Sequence, residues 1–285
     1  MDDTSFDIYL DEVGDEGSGY HIRNDPNPSR RYQRETVTER RGAVAIRCKS
    51  REVIHGFLDP ESNEFATLLV YDFSFNAVKP GRRITAATIS LNFGNSVQEV
   101  SPRIHNLSPF GHFAMLRTTQ QQSTTRGSEI NAGIQFGGEL GGALKWEKTI
   151  SLDMSNATTL NGSTECDDFG NEIGVSWILH ENRSTKTGIP SFLRTAILIK
   201  REDNNEFQCT AKINIETDWK TELENFFGSR SSDDPILFDP EKKPTNNLNK
   251  SGYPIENLAS VDLRKLSDVV FHHLLDGVIK KGRMK

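Results

Sequence analysis

The residues of this chain best suited to chemistry run from Ser176 to Arg183, in the order Ser-Trp-Ile-Leu-His-Glu-Asn-Arg. They end an alternating segment and lead to Gly188-Ile189-Pro190. Ser176, His180, Glu181, Asn182 and Arg183 are therefore expected at the rim of a sheet, where strand ends can converge on a ligand. His180 and Glu181 have the residue types of a base and an acid. Neighbours on a strand point to opposite faces, so the two serve one substrate only if the strand breaks between them. A binding rim is the expectation, and a hydrolase acting at His180 is the more distant alternative.

Other chemistries find less support. The seven histidines show no HExxH or Cys/His spacing, and Cys48, Cys166 and Cys209 form no CxxC pair. Asp167-Asp168 and Asp233-Asp234 offer oxygens in turns, but neither matches a calcium-binding EF-hand loop. There is no GxSxG, GxxxxGK[ST] or GxGxxG, and the glycine-rich FGGELGG around Gly137 opens no helix that would hold a phosphate. No metal, cofactor or catalytic residue is expected.

The element with the strongest pattern is the stretch from Glu129 to Met154. Apolar Ile134, Phe136, Leu140, Leu144, Trp146, Ile150 and Leu152 recur there at even spacing, with polar residues such as Gln135, Lys145 and Asp153 between them. A period of two marks extended chain with one dry and one wet face, and Gly137, Gly138, Gly141 and Gly142 mark a reversal into a hairpin. On the main reading the hairpin lies on a sandwich core. On the alternative reading those seven residues face lipid and the protein is a pore-former, which Lys148 on the apolar face disfavours.

Around this hairpin the chain reads as short strands separated by turns. They are expected at 43–48, 53–57, 65–76, 84–93, 97–107, 158–162, 173–180, 193–200 and 207–217. About ten strands without helical pattern between them predict an antiparallel β-sandwich over 43–217, with Trp146 and Trp177 in the core. Residues 1–42 carry an acidic block and then a run of arginines, and read as a disordered charged arm. Residues 218–285 read as a proline-rich linker and C-terminal helices. One of these is expected from about 260 to 280, on a stripe of Leu263, Leu266, Val270, Leu274 and Val278. The fold class is thus mainly β with a C-terminal α-helical appendage.

With 285 residues, 35% of them hydrophobic, the chain suffices for one sizeable core. A net charge of -6 opposes a nucleic-acid footprint. The acidic start, Met1 to Asp11, is unlike a signal peptide, and the scattered cysteines suit a reducing compartment, so a cytoplasmic location is expected. These observations together predict a non-enzymatic interaction module with a protein partner.

Overall fold

The computed structural model describes residues 21–42, 44–78, 81–95, 101–115, 157–218, 233–248 and 252–271. The stretch from 129 to 154, with Ile134, Phe136, Leu140, Leu144, Trp146, Ile150 and Leu152, lies outside the described residues. So do residues 219–232 of the expected linker and C-terminal helices, and positions 274 and 278.

Two antiparallel sheets face each other. The first is built on β2 (Val44–Phe57), β3 (Phe65–Ala77) and β9 (Phe192–Arg201), paired in that order. One edge is covered by β1 (Thr36–Arg41) and β12 (Thr245–Asn246), both on β2, and the other by β5 (Arg103–Ser108) and β13 (Asp268–Val270), both on β9. The second sheet runs β11 (Ile236–Phe238), β10 (Phe207–Thr217), β4 (Ile84–Gly94), β8 (Glu172–His180), β7 (Thr158–Cys166) and β6 (Gly111–Met115). The inward residues of both sheets form one core. Trp177 on β8 lies fully buried there, its ring 6.4 Å from that of Phe73 on β3, and its Nε1–H donates to the Pro109 carbonyl at 3.0 Å.

β3 lies in the middle of its sheet and is buried on both faces. Leu69, Tyr71 and Phe73 point into the main core, while Ala66, Leu68 and Val70 join a second, smaller one. The second core is closed by residues whose sequence reads as linker and helix. Leu258, Leu263 and Leu266 pack on the outer face of β3 and β9, and Tyr253 and Leu248 pack beside them. The expected α-helix from 260 to 280 is therefore corrected over its described part. Leu258–Ser260 and Leu263–Leu266 are 3-10 turns, Ser267 is extended, and Asp268–Val270 pairs with β9. Leu263 and Leu266 are three residues apart, a spacing that a single 3-10 turn satisfies as well as an α-helix does. Val269, not Val270, is the buried residue of the strand β13.

The arm also needs correction where it is described. Thr36–Arg41 is a strand on β2 with Val37 buried, so the sandwich begins before residue 43. The strands expected at 43–48 and 53–57 are one strand, β2, whose pairing with β3 slips between Ser50 and Glu52. That bulge shifts the alternation by one residue and so interrupts the period-two pattern.

Gly162 on β7 shows how closely the layers approach. A Cβ at this position would collide with the Pro109 carbonyl oxygen and crowd the Trp177 ring. Gly162→Ala should cost on the order of 3 kcal/mol, because the backbone must move and the Trp177–Pro109 hydrogen bond lengthens or breaks. Urea unfolding checks this, and an unchanged midpoint would mean that the turn before β6 yields freely.

Candidate functional site

β8 ends at His180, between Ala86 of β4 and Thr159 of β7, and the rim begins there. Ser176 does not reach it. It lies four residues back, about 13 Å along the strand, between Ser90 and Ser163 in the body of the sheet. His180 is exposed at the strand end, and the chain then turns away from the sheet.

Residues 181–188 form a braced loop. The Glu181 carboxylate accepts from Arg83 Nε at 3.0 Å and from the Gly188 N–H at 3.1 Å, so it spans the loop from its first residue to its last turn. Its own N–H donates to the Thr85 carbonyl at 2.8 Å, and the Ile189 N–H donates to the Ile84 carbonyl at 3.0 Å. Both ends of the loop are thereby tied to the start of β4. Asn182 is fully buried, and its Oδ1 accepts from the Ser184 and Thr185 N–H groups while its carbonyl accepts from the Lys186 N–H. Lys186 and Gly188 take positive φ angles of 51° and 80°, which reverse the chain. Between these anchors Arg183, Ser184, Thr185, Lys186 and Thr187 are exposed.

Two residues that sequence reasoning missed complete the site. Arg83 comes from the β3–β4 connection and Asp218 from the end of β10, and Arg83 Nη1 donates to Asp218 at 3.1 Å. Nothing local in the sequence ties positions 83, 181 and 218 together, since only the sheet register makes them neighbours. The arrangement is chemically conservative. Both donors to the Glu181 carboxylate are structural, so its oxygens are committed to holding the loop and are not presented to a substrate.

The other polar clusters are also engaged. Asp167 accepts from the Phe169 and Asn171 N–H groups and from Asn171 Nδ2, and the Asn171 side chain holds its carboxyl below the usual carboxylate range. Asp233 accepts from the Ile22 N–H, Thr38 Oγ1 and Arg40 Nη2. Among the described residues no group of three or more His, Cys, Asp or Glu is placed to hold a metal. Cys48 and Cys209 are buried, and that burial pushes both thiols up, away from nucleophilic character. Burial likewise holds His55 down at about 3, a neutral ring between Gln33 and Thr67. A cleft of about 370 Å³ lies between the β5–β6 turn and residues 261–264, with Phe110, Phe113 and Leu263 among its walls. None of the nucleophile, base or acid candidates lines it.

No helix among the described residues is long and apolar enough to cross a membrane. No family model, curated protein or solved structure matches the chain.

Proposed function

We propose that this protein is a non-enzymatic β-sandwich interaction module that binds a protein partner through the loop after β8. The observation that carries this reading is how the loop's polar residues are divided. Glu181 and Asn182 are spent on bracing, while Arg183 and Lys186 are held out to solvent on a fixed backbone. A catalytic rim needs the reverse, with a titratable group aimed at a space where a substrate can sit. A recognition loop gains from rigidity, because less chain entropy is lost when a partner binds. The exposed guanidinium and ammonium groups favour an acidic partner surface and would speed encounter with it.

The test compares the wild type with Arg183→Ala/Lys186→Ala as baits in a native cell extract. Both side chains are exposed, so the double variant should unfold at the wild-type midpoint, within about 0.5 kcal/mol. Retained proteins should fall by about tenfold or more, the effect expected when an interface loses two steering charges. Equal retention by both baits, with equal stability, would remove the loop from any interface.

A further inference from the structure

The two ends of the sandwich are oppositely charged. The register places the β2–β3, β7–β8 and β9–β10 turns together at one end. The braced loop and the β3–β4 connection lie at the other end, about 30 Å away along strands of roughly ten residues. At the first end, segments 58–64, 165–172 and 202–206 hold three, four and three carboxylates and no lysine or arginine. Setting Arg103, Lys200 and Arg201 against these ten leaves a net charge of -7. At the other end, the described residues of segments 81–83 and 180–188 hold four cations and one carboxylate, and Glu216 and Asp218 bring the net charge to +1.

Each end also carries an exposed apolar side chain. Phe169, at the tip of the β7–β8 turn, is 90% exposed. It is held there by Asp167, which fixes the turn through the Phe169 and Asn171 amides. At the basic end Val78 is 58% exposed, beside the turn that carries Arg82 and Arg83.

We propose that the partner is a second copy of this chain. The acidic β7–β8 tip of one molecule docks on the basic end of the next, with Phe169 against Val78 and with Asp168 and Glu172 facing Arg183 and Lys186. This rests on the reading of the 181–188 loop as a docking element and names what docks there. The two contacting surfaces differ, so the contact is head-to-tail and repeats along a chain of molecules unless a ring closes.

The test is the mass of the full chain in solution, by sedimentation velocity and light scattering over a range of concentrations. The wild type should exceed the single-chain mass of 32.0 kDa as concentration rises. Association should weaken by about tenfold or more when ionic strength rises from about 0.01 M to about 0.15 M, which shortens the Debye length from about 30 Å to about 8 Å. Phe169→Ala, the tip variant Asp168→Lys/Glu172→Lys and the loop variant Arg183→Glu/Lys186→Glu should each stay monomeric with unchanged unfolding midpoints. An equimolar mixture of the tip and loop variants should associate again, because each then meets a complementary end. A wild type that stays at the single-chain mass at the lowest salt, or an association indifferent to these variants, overturns the proposal. If the wild type is monomeric and Arg183→Ala/Lys186→Ala still loses proteins from an extract, only the self-association falls. If that variant loses nothing, the docking loop falls with it.

Discussion

Trp177→Ala should lower the stability of this protein by about 3–5 kcal/mol, the largest loss expected from a single core truncation here. Trp177 has no exposed surface and packs across the gap between the sheets against Phe73. Its removal therefore opens a cavity whose walls belong to two sheets and cannot both relax into it. A second penalty is polar. The Pro109 carbonyl accepts the indole N–H at 3.0 Å, and its loss leaves a buried acceptor unpaired, at about 1–3 kcal/mol. Trp177→Phe separates the two effects, since it keeps most of the apolar contact and loses only the donor. Its cost should fall in the lower range. Denaturant midpoints for both variants decide the matter, and a Trp177→Ala protein as stable as the wild type would break the alignment of β8 on β3.

Trp177 is legible in the sequence because period two is a strong signal where the pairing is free of bulges. In β10, paired with β4 without a shift from Gln208 to Glu216, Phe207, Cys209, Ala211, Ile213 and Ile215 read as inward; all are buried except Ala211, which is partly buried against the core, and the strand bounds agree with the pattern. β3 reads as central from its two apolar faces, and it is. Legibility fails where burial is polar. Ser50 and Glu52 are buried on β2, with Glu52 accepting from the Leu248 N–H at 2.6 Å, and a serine and a glutamate in mid-strand read as a break. It fails again where the chain packs without periodicity. Leu248 and the apolar residues of 252–266 cover the outer face of the first sheet at irregular intervals, each fitted to that face through turns. The candidate site is half legible. Its strand end and its Gly-Ile-Pro exit mark the loop, while its braces at Arg83 and Asp218 come from 98 and 37 residues away and carry no local signature. Ser176 falls short of the rim because β8 runs four residues beyond it, and alternation alone does not distinguish the body of a strand from its end.

The second large effect concerns the segment whose sequence reads as a free arm. Asp233→Ala should destabilise the protein by about 3–5 kcal/mol, because it strips the counter-ion from a buried cation. Arg40 Nη2 lies 3.0 Å from the Asp233 carboxylate, and the two side chains are only 11% and 6% exposed. The same carboxylate accepts from Thr38 Oγ1 and from the Ile22 N–H at 2.7 Å, so one side chain fastens the strand β1 and the chain before it to the approach of β11. Arg34 reinforces the clasp, donating to the Asn24 side chain and to the carbonyls of Asp234 and Pro235. Without Asp233, three donors lose their acceptor in a space that water enters poorly. Asp233→Asn keeps one acceptor oxygen, enough for the Ile22 amide, but puts an NH2 donor where the Thr38 hydroxyl donates and removes the charge for Arg40, so its cost should be intermediate. Removal of residues 1–42 should be at least as costly as Asp233→Ala, since it takes away β1, the buried Val37 and both arginines at once. A freely hanging arm predicts the opposite, with truncation leaving the midpoint where it was. Urea unfolding of the three proteins, with hydrogen exchange on the β1 amides, distinguishes the two. If Asp233→Ala unfolds at the wild-type midpoint and the β1 amides exchange no faster, the clasp contributes nothing to the fold.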